Sequence, residues 1–305
     1  MALVLETIIL TVIYASAAVL LFGVVAPYLP IRHWLTRVWI YGRQQTIILL
    51  LALSALHLAI WGIPNALSVI FIVCSAIGIG WCLIEISPYF SVSPKQLESA
   101  NGENGFSVLL INVLQENTHV SAVLERIIEA DADIVLLSET NAFWASNLES
   151  LEQNYPHQHL LPLEEHNGML FYSRLPIDSV DVRYLCQDHI PSLAIDLSLE
   201  TGRELRIFAI HPRPPRPEDA VQDLDNELEI VAQECRDHDG PVLVMGDFNE
   251  VGWSPSVVTF QKRSGLLDPK RGRGIYNSYS AKNILMRWPL DHIFATGDFC
   301  VVAIE

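Results

Sequence analysis

Three long apolar runs dominate the first 90 residues of the chain. They cover about residues 8–29, 46–63 and 66–86. Each run is about 18–22 residues long, which at about 1.5 Å per residue is enough for a helix to cross a hydrocarbon layer about 30 Å thick. The pattern therefore predicts a transmembrane region over residues 1–87 with about three helices. The second and third helices should form a tight hairpin, because only a short turn around Pro64 and Asn65 separates them.

The first run and the following loop predict how the chain is oriented. The first run has no basic residue before it and no convincing small-residue cleavage site, so we predict a retained helix rather than a signal peptide. The loop after it carries Arg32, Arg37 and Arg43, while the turn at 62–65 carries no Lys or Arg. Because cytoplasmic loops are enriched in these residues, we expect a multi-pass cell-membrane protein whose C-terminal part is cytoplasmic.

The hydrophobic pattern changes at residue 88. Residues 88–105 are rich in Pro, Ser, Asn and Gly and indicate a linker. From residue 106 to 305, short apolar runs predict buried strands and amphipathic segments predict helices. The predicted strands cover 106–115, 132–140, 168–174, 192–200, 203–211, 241–249 and 289–296, and the predicted helices cover 119–130, 218–238 and 254–265. This order favours an α/β domain that begins with a strand–helix–strand crossover.

Five of these strands carry polar residues within or just after the apolar run. In the stretch LVMGDFNE, Asp247 and Asn249 are two positions apart and would project to one side of an extended chain. An Asx-type turn explains such a pair equally well when it is taken alone. The repetition over five strands favours a shared site formed by Asn112, Glu139, His211, Asp247 with Asn249, and Asp291.

The residue types at this site indicate its chemistry. Carboxylate and amide oxygens without thiolates are the ligands that Mg²⁺ or Mn²⁺ prefers. A nearby histidine can contact a phosphate oxygen or transfer a proton near neutral pH. The set is typical of metal-assisted hydrolysis of a phosphoester.

Charge and cysteine content restrict the classes of partner. The chain has 35 acidic and 19 basic residues, of which residues 1–90 hold two acids and three bases, so residues 91–305 hold 33 acids and 16 bases. That net charge of −17 attracts divalent cations and disfavours a nucleic-acid backbone, unless a bound metal reverses the local field. Five scattered cysteines without a CxxC pair predict neither a disulfide framework nor a zinc site.

The motifs INVLQ, DIVLLSET, FAIHPRP, VMGDFNE and PLDHIF occur in this order between about residues 106 and 296. In these motifs the chain resembles the endonuclease/exonuclease/phosphatase superfamily, and the preceding helices resemble its membrane-anchored bacterial branch. The resemblance implies a four-layer α/β sandwich, in which two central β-sheets are flanked by helices and a divalent-metal phosphoesterase site lies at one end.

The resemblance also implies roles for individual residues. Glu139 would be the principal metal ligand with Asn112 beside it, although Ser138 stands where the family often has glutamine. The remaining residues would act on the substrate: Asp247 and Asn249 orient water and phosphate, His211 contacts the phosphate or the leaving group, and Asp291 supports the site.

One departure from the family pattern concerns a final strand that carries Ser-Asp-His. No Ser-Asp-His occurs in the sequence, so the domain at 106–305 is predicted to lack its last strand. His292 is not expected to replace that histidine, because it is adjacent to Asp291 and should point to the opposite sheet face. Two interpretations follow: a truncated record of a longer active enzyme, which we favour, or a chain with a weakened site.

These observations lead to a main functional hypothesis and an alternative. The main hypothesis is a membrane-anchored, Mg²⁺-dependent phosphoesterase acting on a nucleic acid, a lipid head group or a small phosphate ester. The acidic charge and the anchor favour the lipid head group or the small ester. Arg213 and Arg216 would either contact phosphate or lie in a solvated Pro-rich loop. The alternative is a catalytically impaired membrane-anchored binding or scaffold module with the same fold.

Overall fold

The computed structural model describes residues 2–31, 33–63, 65–102, 105–199, 201–214, 222–280 and 282–305. Its N-terminal part contains three helices that are long and apolar enough to cross a membrane, as predicted. The turn between the second and third of them is closed by Gly62, which has φ 65°, and by Asn65, whose side chain accepts a hydrogen bond from Ser68 N. The four helices of this part are α1 (Ala2–Val25), the short α2 (Trp34–Arg37), α3 (Arg43–Trp61) and α4 (Ala66–Ile86).

The first β-sheet has four strands in the order β1-β2-β4-β3. β1 and β2 are parallel and are connected by α5, which confirms the predicted crossover unit. The strands are β1 (Val108–Asn112), β2 (Ile134–Ser138), β3 (His157–Leu161) and β4 (Met169–Ser173), with α5 (Val120–Ala130) and α6 (Ala142–Asn147).

The second β-sheet has five strands in the order β5-β6-β7-β8-β9. β7 and β8 are parallel and are connected through α7, while the other neighbours are antiparallel. Most of the predicted strands extend a few residues beyond the strands in the structure. The elements are β5 (Ile177–Arg183), β6 (Ser192–Ser198), β7 (Glu204–Ala209), α7 (Gln222–Asp237), β8 (Val242–Asp247), α8 (Pro255–Ser264) and β9 (Asp291–Ala295).

Three hydrophobic cores hold the sheets and helices in four layers, as expected. The inner faces of both sheets meet in one core, where Leu136 and Phe171 of the first sheet join Ile207 and Met245 of the second. The outer face of the first sheet packs on α5 and α6, and that of the second sheet packs on α7 and α8. Polar strand ends can therefore meet only at the ends of the sandwich.

The segment 88–105, predicted as a linker, is fastened to the domain over most of its described length. Tyr89 Oη donates a hydrogen bond to Asp268 Oδ2 at 2.9 Å, and Leu97 is buried in the inner core. Ser99 forms a parallel bridge with Val301. The few apolar residues of this segment, among many Pro, Ser and Gly residues, therefore hold it against the domain.

Candidate active site

The predicted site residues lie at one end of the sandwich, where the two sheets come together. Asn112 ends β1 and Glu139 directly follows β2, so both come from the first sheet. Asp247 ends β8 and is the register partner of Asp291 at the start of β9, so both acids come from the second sheet. The site therefore depends on the packing of the two sheets against each other.

Asn112 joins the two halves of the site. Its Nδ2 donates to Glu139 Oε1 at 2.7 Å and to Asp247 Oδ2 at 3.0 Å, while its Oδ1 accepts from Leu114 N at 3.0 Å. Two carboxylate oxygens from different sheets thus converge on one amide group.

The GDFN turn is held by its own polar groups. Asn249 has φ 50°, and its backbone N donates to Asp247 Oδ1 at 2.8 Å, so the Asx-type turn exists within the site. Asn249 Nδ2 donates to Pro212 O at 3.0 Å. Gly246 has φ 142°, and a Cβ there would lie 1.9 Å from Ile210 O, so only glycine allows this approach of the two backbones.

His211 follows β7 and is 6% exposed. Neither ring nitrogen has a hydrogen-bond partner among the described residues. Burial lowers the pKa of His211, although the charges of Glu139 and Asp291 oppose this shift. A neutral imidazole with two unengaged nitrogens is suited to receive a polar ligand.

The two acids of the second sheet have raised pKa values. Burial raises the pKa of Asp247, and the charge of Glu139 adds to the shift, while the hydrogen bonds from Asn112 and Asn249 oppose it. Burial and the charge of Asp247 raise the pKa of Asp291 to about 7. Asp291 can therefore exchange a proton near neutral pH.

A residue that the sequence analysis missed is His166, in the loop between β3 and β4. Its Nδ1 lies 2.9 Å from Glu139 Oε2, and its Nε2 lies 3.0 Å from Glu116 Oε1. The loop packs closely behind Glu139, since a Cβ on Gly168 would lie 1.7 Å from Thr140 O. The hydrophobic pattern predicts no strand directly before His166, so the strand-end pattern that indicated the other residues could not indicate this one.

His292 faces away from the site, as predicted. Its ring is 1% exposed and packs on Phe248 and Phe294. Nε2 donates a hydrogen bond to Glu250 O at 2.8 Å, and Nδ1 accepts one from Lys270 Nζ at 3.1 Å. Both ring nitrogens of His292 therefore already have partners, and neither of these partners is the Asp291 carboxylate.

Glu250, the last residue of the LVMGDFNE stretch, has a structural partner in the N-terminal helical region. Its side chain is fully buried and pairs with Arg37 Nε from the end of α2. Arg37 also contacts Asp225 Oδ1 at 2.8 Å. Burial alone would lower the pKa of Arg37, but the charges of Glu250 and Asp225 outweigh it and raise the pKa.

The donor set fits a small divalent cation in its chemistry. Glu139 and Asp247 supply carboxylate oxygens that already converge, and the Nδ2 group of Asn112 lies between them and donates to both. Among the residues that the structure describes, no group of three or more His, Cys, Asp or Glu side chains is arranged to hold a metal ion. A cation bound here would take few ligands from the chain and keep several waters, as Mg²⁺ commonly does.

Comparison with known proteins supports the class that this fold and site define, a two-sheet α/β sandwich with an acidic site at one end. The model of the Endonuclease/Exonuclease/phosphatase family matches residues 104–305, and the chain belongs to this family. Members of this family are typically hydrolases that act on phosphoesters and generally use divalent metals. No match was found among curated proteins.

Solved structures share the fold at low sequence identity. TDP2 of D. rerio, complexed with a single-strand DNA product, is 16% identical with a TM-score of 0.52, over 63% of this chain and 83% of that chain. An endonuclease/exonuclease/phosphatase from Beutenbergia cavernae is 19% identical with a TM-score of 0.51, over 65% of this chain and 66% of that chain. Truncated TDP2 of Caenorhabditis elegans is 12% identical with a TM-score of 0.51, over 64% and 86% of the two chains.

Proposed function

We propose that the protein is a membrane-anchored, divalent-metal-dependent phosphoesterase. The observation that carries the proposal is the convergence of Glu139 and Asp247, from two different sheets, on Asn112 beside the buried and unpartnered ring of His211. Such a set of carboxylates, amides and an imidazole supports phosphoester hydrolysis better than a purely structural role, because buried polar groups without partners destabilise a fold.

Each side chain has a role that its surroundings support. When bound at the carboxylates of Glu139 and Asp247, beside Asn112, Mg²⁺ or Mn²⁺ would supply positive charge against the charge that develops on the phosphate. Asp247 and Asn249, fixed to each other through the Asx-type turn, would orient water and phosphate. His211 would donate a hydrogen bond to a phosphate oxygen, and Asp291, with a pKa of about 7, would exchange a proton with it or with water.

The substrate class follows from charge and location. Three helices able to cross a membrane precede the domain, and the domain is strongly acidic. We therefore propose a lipid head group or a small phosphodiester or phosphomonoester as substrate. Nucleic acid stays a disfavoured partner because the domain would repel its backbone. The domain is proposed to be cytoplasmic.

The test uses the full chain in detergent or in nanodiscs, with bis-p-nitrophenyl phosphate and phospholipids as substrates. Wild type should hydrolyse at least one of them when Mg²⁺ or Mn²⁺ is present and lose activity with a chelator. Asp247→Asn and Glu139→Gln should each lower kcat by about 10²-fold or more. Circular dichroism and thermal melting check that both variants stay folded.

Matched controls are Asp237→Asn and Glu149→Gln, which make the same changes at exposed positions outside the site. Both should keep wild-type kcat. A folded wild type that shows no metal-dependent hydrolysis of any of these esters would overturn the proposal and leave the binding or scaffold module.

A further inference from the structure

A hairpin before β9 ends in an exposed apolar tip. Tyr279 and Trp288 form an antiparallel bridge, and their rings stack with centroids 5.7 Å apart. The tip, which we define as Ile284, Leu285 and Met286, is 81%, 75% and 45% exposed. Three consecutive exposed apolar residues are unfavourable in water and indicate a surface that is covered by something else.

The tip lies where the second candidate span begins. Gln45 Nε2, in the first turn of α3, donates a hydrogen bond to Leu285 O at 2.9 Å. The exposed apolar side chains of α3 start at Ile48, which is three residues and about 4.5 Å further along the helix axis. The tip is therefore level with the position at which α3 would enter the hydrocarbon layer.

The charge of this segment differs from that of the rest of the domain. Residues 269–290 contain five basic residues and no acid, whereas residues 91–305 as a whole carry a net charge of −17. Lys282 and Arg287 are exposed on either side of the tip. Exposed cations beside apolar side chains are suited to the anionic surface of a bilayer.

The aromatic residues agree with an interfacial location. The ring of Trp288 lies 5.7 Å from that of Tyr41, which belongs to the loop between the first two spans. Trp and Tyr side chains are enriched at the boundary between lipid and water. The hairpin and this loop therefore lie together on the side of the molecule from which the helices enter the bilayer.

We propose that the tip inserts into the anionic lipid interface of the bilayer that the three helices cross. The inference rests on the proposed membrane embedding, and it deepens the proposed function. Ser278, at the base of the hairpin, accepts hydrogen bonds from Leu290 N at 3.1 Å and Asp291 N at 3.0 Å. An inserted tip would thus hold the Asp291 end of the site near the membrane surface, where the phosphate of a lipid head group lies.

The experiment places the photo-crosslinking residue p-benzoylphenylalanine at position 285 of the full chain in nanodiscs that contain phosphatidylglycerol. Irradiation followed by mass spectrometry should give a lipid adduct at position 285. Position 128 is the matched negative control, because Ile128 is 62% exposed on α5, which covers the other sheet. Position 49, on the exposed side of α3, is the positive control for the embedded helices.

The outcomes separate the two proposals. Adducts at 49 and 285 but not at 128 support the inserted tip. An adduct at 49 without one at 285, or crosslinks from 285 only to a second protein, overturns the tip proposal and leaves the membrane embedding. The absence of adducts at both 49 and 285 overturns the embedding and the tip together. Hydrolysis is measured separately and does not enter any of these readouts.

A charge variant provides a second readout. Lys282→Ala combined with Arg287→Ala should lower the adduct yield at 285 in phosphatidylglycerol discs severalfold, because each exposed cation near an anionic surface favours binding by about fivefold. Lys262→Ala, which removes an exposed cation on α8, should leave the yield unchanged. Equal yields in all three proteins would contradict the role of the flanking cations.

Discussion

Asp247 and Asp291 are opposite each other on β8 and β9, and this placement sets the proton chemistry of the site. Side chains at opposite positions of neighbouring antiparallel strands have Cβ atoms about 4.5–5.5 Å apart, so like charges there repel. Repulsion from Asp247 adds to burial in raising the pKa of Asp291 to about 7. The arrangement therefore favours proton exchange near neutral pH and reduces the stability of the folded chain.

The sign of this effect leads to a prediction for Asp291→Asn. A folded-state pKa above the usual carboxyl value means that the unfolded chain releases this proton first. The contribution of Asp291 to stability is thus most favourable below about pH 4 and is lost as the pH rises to about 7. In the metal-free protein, Asp291→Asn should raise the free energy of unfolding by about 1–3 kcal/mol at pH 8 and change it little at pH 4. Thermal unfolding of the full chain with a chelator measures this difference.

Asp298→Asn is the matched control, because the hydrogen bond from Arg203 lowers the pKa of Asp298 instead. It should bring no gain in stability at pH 8. An equal effect of Asp291→Asn at pH 4 and pH 8 would show that the carboxyl does not titrate between these values.

His166 gives a second prediction at the scale of single residues. His166 contacts Oε2 of Glu139, whereas Asn112 contacts Oε1. The two contacts together restrict the orientation of the Glu139 carboxylate. His166→Ala should weaken Mn²⁺ or Mg²⁺ binding by about 10-fold or more, as is usual when a partner of a metal ligand is removed. Isothermal titration calorimetry measures this, with His189→Ala, at an exposed position, as the control. Unchanged metal affinity in His166→Ala would exclude this role.

At the scale of elements, the loop between α1 and α3 contacts the segment that carries the GDFN turn. Tyr41 Oη donates to Asn249 O at 2.6 Å, and Trp253 Nε1 donates to Ile40 O at 2.9 Å. The turn places Asn249 in the left-handed region, which is costly for a residue other than glycine. Contacts from the N-terminal helical region therefore help to keep Asn249 in its position.

Tyr41→Phe should reveal this contribution. It removes one hydrogen bond, worth about 1 kcal/mol, to the backbone oxygen of Asn249. If the turn relaxes, kcat should fall by about fivefold while KM changes little. Steady-state kinetics with bis-p-nitrophenyl phosphate measures both constants. Tyr28→Phe, whose hydroxyl contacts Glu85 away from the site, should behave as wild type.

The elements that the sequence predicts are those with one dominant hydrophobic pattern. β2, β4 and β8 are buried at every position, and their continuous apolar runs were recognised. β3 and β5 are not predicted, because His157–Leu161 begins with polar residues and no residue of Ile177–Arg183 is buried. In the structure Asn112, Glu139 and Asp247 lie together, each at or just after the end of a strand. The apolar runs predict this because they show where each strand ends.

Contacts between distant parts of the chain could not be predicted in the same way. Arg37 and Glu250 are 213 positions apart, and neither lies in a pattern that points to the other. The distribution of basic residues along the sequence identifies Arg37 and Arg43 only as indicators of a cytoplasmic loop. In the structure Arg37 pairs with Glu250, and Arg43 Nε lies 2.8 Å from Glu85 Oε2. Both arginines therefore form ion pairs within the folded chain, in addition to indicating the orientation of the loop.

At the scale of the whole molecule, the N-terminal helical region and the domain share one hydrophobic cluster. Ile40, Tyr41, Ile86 and Tyr89 pack with Val251, Trp253 and Leu290 of the domain, and the buried pair of Arg37 and Glu250 lies beside them. Val251, Trp253 and Leu290 are only 0%, 4% and 7% exposed. The helices are thus part of the folded unit that carries the site, and removing them would uncover apolar surface and leave Glu250 without Arg37.

Glu250→Gln should consequently have different effects in two forms of the protein. In the full chain it breaks a buried ion pair and should lower the free energy of unfolding by up to about 3 kcal/mol, because Arg37 keeps Asp225 as a partner. In a protein that begins at residue 91, Arg37 and the side chains that cover this part of the domain are absent, so the same substitution should change the melting temperature little. Thermal melting of four proteins, with and without residues 1–90 and with Glu or Gln at position 250, tests this difference. An equal loss of stability in both forms would show that the contribution of Glu250 to stability does not depend on Arg37.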